Sequence, residues 1–144
     1  MGKKRIITQS GQAASKGVKS RLLSKIPKKK LQSGILHIHA TYNNTKLVLT
    51  DKEGKVVMWS TSGSLGFSGA KKATPYAAAK VGELMAEKAE LIGLKDVDVV
   101  IKGVGPGRES AVRAFMTKGF RLNSITDKTP IPFNGPRKRR PRRV

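Results

Sequence analysis

The placement of charge along the chain limits most strongly what it can fold into. Residues 1–33 carry ten Lys and Arg and no acid, and residues 128–144 carry seven and no acid, so 17 of the 21 net positive charges lie in the two ends. Segments this cationic, with few large apolar groups, cannot bury enough surface to offset the entropy of ordering them. Residues 34–127, with 13 basic and all 9 acidic residues, have the balance of a globular domain. A chain of 144 residues has room for one domain with a modest core. The expected organisation is a basic N-terminal extension over residues 1–33, an α/β domain over residues 34–127 and a basic C-terminal tail over residues 128–144, with both ends disordered in the free protein.

A net charge of +21 and a pI near 10.9 exceed what solubility requires and call for a polyanionic partner, either nucleic acid or an anionic membrane surface. Cysteine is absent, which removes disulfides and thiolate metal sites. No apolar run approaches the roughly 18 residues of a membrane span, and the N-terminus has neither the apolar stretch of a signal peptide nor the Ser or Thr of a myristoylation motif. A cytoplasmic protein without membrane anchoring is expected, and no cofactor is called for.

Within the domain, residues 34–42 read as a strand, Asn43-Asn44 as a two-residue hairpin turn in which Asn tolerates positive φ, and residues 45–50 as the returning strand. A polar turn at residues 51–54 leads into a third strand near residues 56–60. Thr74 is placed to cap a helix whose first residue is Pro75; Ala77, Val81, Leu84, Met85 and Ile92 form its apolar face and Gly93 ends it. A fourth strand over residues 96–101, a tight loop over residues 103–107, a second helix over residues 108–118 and a fifth strand over residues 120–127 complete the pattern. Three antiparallel strands followed by α-β-α-β predict a mixed five-stranded sheet in a three-layer α/β architecture, with strands four and five parallel to strand one.

Two glycine-rich segments stand at strand-to-helix junctions. Gly103-Val104-Gly105-Pro106-Gly107-Arg108 precedes the second helix, where unpaired N–H groups and the helix dipole favour an anion and glycines let it approach. The same spacing also suits a tight turn in which glycine only relieves strain. Ser62-Gly63-Ser64-Leu65-Gly66-Phe67-Ser68-Gly69-Ala70-Lys71-Lys72 precedes the first helix and gathers hydroxyls, glycines and two lysines at another positive helix end. Both segments follow the carboxyl ends of strands and so share one edge of the sheet. Neither fits a P-loop or the dinucleotide fingerprint, and two adjacent anion sites suit an extended phosphate backbone better than a mononucleotide.

Enzymatic chemistry finds little support. The first strand holds no acid, Asp96, Asp98, Glu109 and Asp127 are scattered, and Glu83, Glu87 and Glu90 read as a solvated helix face, so the converging carboxylates of a metal-dependent nuclease are not seen. His37 and His39 share a strand face without the further ligands a metal needs. Aromatics make up only 5% of the chain, too few for a continuous base-stacking platform, and Trp59, Phe115 and Phe120 are expected in the core. Recognition of folded RNA through its backbone is the expected mode.

Five blocks carry a resemblance over residues 34–135: Gly-Ile-Leu-His-Ile-His-Ala-Thr-Tyr-Asn-Asn-Thr from Gly34, Gly-Ser-Leu-Gly-Phe from Gly63, Lys-Lys-Ala-Thr-Pro-Tyr-Ala-Ala from Lys71, Gly-Pro-Gly-Arg-Glu-Ser-Ala from Gly105, and Asp-Lys-Thr-Pro-Ile-Pro-Phe-Asn-Gly from Asp127. Together they resemble the bacterial-type form of the eleventh protein of the small ribosomal subunit. The chain departs from that family's usual residues at Val104, Phe133 and Pro136. The resemblance implies a ribonuclease H-like sheet without catalytic acids, seated on the subunit platform and bridging ribosomal RNA helices. It also implies the seventh and eighteenth small-subunit proteins as neighbours, and proximity to the messenger RNA cleft used in initiation. Asn134-Gly135 is further expected to be prone to isoaspartate formation, because glycine leaves the Asn carbonyl unprotected.

The residues expected to meet RNA are Lys28, Lys29 and Lys30 in the extension, Asn43 and Asn44 in the turn, and Ser62, Gly63, Ser64, Gly66, Phe67, Ser68, Lys71 and Lys72 in the first glycine-rich segment. Gly105, Gly107 and Arg108 in the second segment, and Lys128, Asn134, Gly135, Arg137, Lys138, Arg139, Arg140, Arg142 and Arg143 in the tail, complete the set. A free-standing protein that binds structured RNA is the alternative to a ribosomal constituent, and a degenerate nuclease is a third reading.

Overall fold

The computed structural model describes residues 30–141. Period-two alternation through residues 33–61 builds a meander of β1 (Ser33–Ala40), β2 (Thr45–Thr50) and β3 (Val56–Thr61), whose inward residues Leu36, Ile38, Leu47, Leu49 and Met58 are buried. Chain order continues with α1 (Pro75–Ile92), β4 (Asp96–Lys102), α2 (Arg108–Met116) and β5 (Arg121–Asp127). The sheet order is β3-β2-β1-β4-β5, with β4 parallel to β1 and β5 parallel to β4, as the element pattern predicts.

The signals that bound α1 are local, and the structure uses each of them. Thr74 Oγ1 accepts the N–H of Ala77 at 3.3 Å, a cap worth about 1 kcal/mol, and Pro75 takes the first helical position. Gly93 adopts φ 89°, and its N–H and that of Leu94 satisfy the last carbonyls of the helix. All five residues expected on the apolar face are buried.

The expected three layers are two. The connections β3-α1-β4 and β4-α2-β5 both run in the same direction across the sheet, so crossovers of one hand deliver both helices to the same face. There they touch closely: a Cβ on Gly82 of α1 would lie 2.8 Å from the Ala111 carbonyl oxygen and 3.0 Å from Ala114 Cβ of α2. A single core results, in which Phe115 and Phe120 stack at 4.9 Å and Leu31, just ahead of β1, packs as well. No described helix covers the opposite face of the sheet. Trp59, expected in the core, lies on that open face and is 58% exposed.

The β1–β2 turn also differs from expectation. The Thr41 N–H donates to the Asn44 carbonyl at 2.9 Å, so Tyr42 and Asn43, not Asn43 and Asn44, are the central pair, and neither Asn has positive φ. Thr41 Oγ1 supplies what positive φ would have supplied, accepting the N–H groups of Asn43 and Asn44 at 3.3 and 3.1 Å. The second helix stops at Met116, two residues before its expected end, and Gly119 turns the chain with φ 79°.

Candidate nucleic-acid interface

Strands β1, β3, β4 and β5 run in the same direction, so Ala40, Thr61, Lys102 and Asp127 all end at one pole of the sheet. That pole carries the turn at residues 41–44, the segment at residues 62–74, the loop at residues 103–107 and the start of the C-terminal tail. Hydrogen bonds tie the four together. Ser62 N–H donates to the Thr45 carbonyl at 3.1 Å, Gly105 N–H to the Ala40 carbonyl at 2.9 Å, and Lys128 N–H to the Ile101 carbonyl at 2.8 Å. The shared edge expected for the two glycine-rich segments is therefore present.

Within the pole the candidate residues divide into two groups. Gly105 and Gly107 are buried, and the space a side chain would take is filled by protein: a Cβ on Gly105 would meet the Thr41 carbonyl oxygen and lie 2.7 Å from its carbon, and one on Gly107 would lie 2.5 Å from Thr45 Oγ1 and 2.7 Å from Ala78 Cβ. Gly105 permits close approach of backbone to backbone, and Gly107 makes room for the side chains of Thr45 and Ala78. Ser62 is buried against Thr45, and Ser64 Oγ donates to the Thr61 carbonyl at 2.7 Å while accepting the Thr61 N–H at 3.1 Å. Phe67 packs against the core and edge-on to Tyr76 at 6.0 Å, and Lys80 Nζ lies 5.7 Å from the Tyr76 ring centre.

Arg108 belongs to the same group. Its guanidinium donates to the Gly103 carbonyl, to Thr129 Oγ1 at 3.2 Å and to the Asp127 carboxylate, joining the start of α2 to the end of β5. Asp127 also accepts the Thr129 hydroxyl and its N–H at 2.9 Å. The Thr129 hydroxyl, the Arg108 guanidinium and the Thr129 N–H together hold the Asp127 carboxyl down at about 2. This latch fixes the direction in which the basic tail leaves the domain.

The second group faces water. Asn43, Gly63, Gly66, Ser68, Lys71, Lys128, Asn134, Gly135, Arg137, Lys138, Arg139 and Arg140 are exposed, Lys72 is half-buried, and Asn44 is half-buried with its side-chain oxygen enclosed. Asn134 has φ 56°, and Phe133 beside it is almost fully exposed. Burial, and then the charge of Lys128, lower the His37 pKa. His37 instead pairs through Nε2 with Thr50 Oγ1 at 3.3 Å. Among the described residues no group of three or more His, Cys, Asp or Glu is placed to hold a metal, and no helix is long and apolar enough to cross a membrane.

The sequence pattern of ribosomal protein S11 matches residues 34–143, which takes in all of the sheet but Ser33, both helices and the tail as far as residue 143. The chain belongs to the ribosomal protein S11 family. Small ribosomal subunit protein uS11 from Acinetobacter baumannii strain AYE and from strain SDF are each 51% identical over 114 residues, covering 79% of this chain and 89% of those proteins.

The S11 fold also places the expected Lys30 beside two cations that motif reading missed, Lys95 and Arg121. At the opposite pole, where β1, β4 and β5 begin, Lys30, Lys95 and Arg121 are exposed. Lys95 and Arg121 border a hollow of about 440 Å³ with Lys118, which pairs with Glu90 at 3.0 Å. Backbone bonds from Lys95 N–H to the Gln32 carbonyl and from Arg121 N–H to the Lys95 carbonyl hold this pole together. Its signal was positional: Lys95 and Arg121 each stand at the start of a parallel strand, and such starts share one end of the sheet. Lys28, Lys29, Arg142 and Arg143 lie outside the described residues.

Proposed function

We propose that this S11-family protein is a structural constituent of the small ribosomal subunit that binds ribosomal RNA at both poles of its sheet and holds two RNA segments at a fixed separation. The carrying observation is the placement of exposed cations: Lys71, Lys128 and the basic tail at the carboxyl pole, and Lys30, Lys95 and Arg121 at the opposite pole, where Asp51, Glu53 and Asp96 also lie. A seven-residue strand is about 23 Å long, more than twice the Debye length of about 8 Å at physiological salt. Each pole therefore neutralises its own stretch of phosphate. Neutralisation supplies affinity and the hydrogen-bonded core supplies geometry.

At the carboxyl pole the cations Lys71, Lys72 and Lys128, with Ser68, Asn43 and the tail, make the RNA contacts, while Gly105, Gly107, Ser62, Ser64 and Arg108 build the frame that presents them. Lys28, Lys29, Arg142 and Arg143, outside the described residues, add further cations to the RNA contact. The ribonuclease H-like reading is supported by the β3-β2-β1-β4-β5 order, and β1 carries none of the carboxylates such a nuclease would need. Family resemblance supports a place on the platform beside the seventh and eighteenth proteins and the messenger RNA cleft. Exposure of Asn134 ahead of Gly135 supports isoaspartate formation there, which isoaspartate-specific cleavage and mass spectrometry of assembled particles would detect.

Sedimentation of a lysate containing tagged protein tests the main reading. Co-migration with the small subunit after the subunits are dissociated is the expected result. A tag left at the top of the gradient, with small subunits complete without it, would favour a free-standing binder of structured RNA.

A further inference from the structure

Trp59 is the only tryptophan in the chain, and more than half of its surface is in water. An indole so placed forgoes the burial that makes tryptophan favourable in a core. Cross-strand register defines its surroundings on the open face. Val48 stands directly opposite on β2, and Lys46, opposite Thr61, is the diagonal neighbour, within reach of a long side chain. Lys46, Val48, Val56, Trp59 and Thr61 line a shallow hollow of about 260 Å³.

The charge around the hollow selects its occupant. The row containing Lys46 continues across the sheet through His39 to Lys102, and the row containing Trp59 continues through Val48 and His37 to Val100. Neither row holds a carboxylate. Asp96 and Asp98 share the face but lie toward the opposite pole, and Asp98 already accepts the Ser124 hydroxyl at 2.7 Å. An apolar protein surface would have to strip water from the lysines without replacing it. A nucleotide matches both parts, having a flat apolar base for the indole and an anion for the ammonium groups.

We propose that Trp59 and Lys46 form a site for an unpaired RNA nucleotide, whose base stacks on the indole and whose phosphate pairs with Lys46. This site rests on the RNA-binding reading and adds a third contact surface, on the open face of the sheet next to the carboxyl pole. A base within a duplex is already stacked on its neighbours and cannot use the site.

Because no other tryptophan contributes, fluorescence excited at wavelengths that tyrosine does not absorb reports on Trp59 alone. The full-length chain is titrated at low salt with end-labelled single-stranded oligoadenylate and with a blunt RNA duplex, reading binding from the anisotropy of the RNA label and the site from Trp59 emission. Oligoadenylate is expected to quench Trp59, and the duplex to bind without quenching. Trp59→Ala is expected to weaken oligoadenylate roughly 5- to 140-fold and leave duplex affinity unchanged, whereas Trp59→Phe keeps most of the affinity. Far-UV circular dichroism checks that each variant is folded. Oligoadenylate binding with unchanged emission, and with Trp59→Ala equal to the parent, overturns the site while RNA binding at the poles stands. Failure of both RNAs to bind overturns the site and the RNA-binding reading together. Equal quenching by the duplex, or quenching by a purified small-subunit protein but not by RNA, assigns the face to another partner and also overturns the site.

Discussion

Gly105→Ala separates the two roles that a glycine at a strand-to-helix junction can have. The φ of Gly105 lies outside the left-handed range, so the backbone itself accepts alanine. The added methyl, however, would meet the Thr41 carbonyl oxygen and lie 2.8 Å from the Ala40 carbonyl carbon. These are backbone atoms at the end of β1 and cannot move aside by changing rotamer. Relief requires the loop to lift, which stretches the Gly105 N–H bond to the Ala40 carbonyl. Loss of that bond costs about 1 kcal/mol and overpacking a further ~1–3 kcal/mol. The smaller unfolded-state entropy of alanine offsets ~0.4–1 kcal/mol. The balance is a destabilisation of about 2 kcal/mol, a fall in Tm of roughly 8–16 °C for a domain of this size. Thermal melting by circular dichroism measures it, with RNA affinity taken well below the transition and expected to match the parent. An unchanged Tm with weakened RNA binding would refute the packing argument and return Gly105 to the role of admitting an anion.

Other outcomes follow from the same geometry. Phe115→Ala removes a fully buried ring stacked on Phe120 and should cost about 3–5 kcal/mol in urea denaturation; a loss below 1 kcal/mol would mean the helix pair is not seated as described. Lys71→Ala with Lys72→Ala should reduce the slope of log affinity against log salt by roughly 1.5, and an unchanged slope would remove both lysines from the interface. The Asp127 carboxyl is held below its ordinary 3.8, at about 2, so the latch contributes fully above 3.8 and is lost as pH falls through about 2. A carboxyl-carbon NMR titration should show that midpoint, and Arg108→Ala should raise it; a midpoint near 3.8 in the parent would disprove the latch.

What the sequence reveals depends on how local each determinant is. Thr74, Pro75 and Gly93 bound α1 through interactions spanning a few residues, and period-two alternation shows β1, β2 and β3 before any pairing is known. The β1–β2 turn is less legible because Thr41, outside the expected central pair, does the work through its hydroxyl. The number of layers is not local at all. It depends on the direction in which each crossover travels, and hence on the strand order. With helices expected on both faces, every large apolar residue of a strand has a cover, and Trp59 is assigned to the core. Once the order β3-β2-β1-β4-β5 puts both helices on one face, the same alternation turns Trp59 outward.

Glycines and hydroxyls on one side and cations on the other are interleaved in the sequence, and reading them as joint anion sites merges two physical roles. Gly105 and Gly107 stand beside Arg108, and Ser62 and Ser64 stand a few residues from Lys71 and Lys72, because the loop that needs a close backbone approach is also the loop that reaches the pole. In the structure the small and hydroxyl residues are consumed by bonds and contacts inside the protein, while Lys71 and Lys128 remain exposed. A frame of this kind has no reason to change its stability when surface cations are removed, and the cations have no reason to lose affinity while the frame stays folded. Glycine substitutions should therefore move Tm without moving the salt slope, and substitutions of the tail cations Arg137 to Arg140 should do the reverse. Arg108 alone should move both, since it holds the frame closed and aims the tail at the RNA. If Arg108→Ala altered only one of the two, the tail would be taking its direction from something other than the latch.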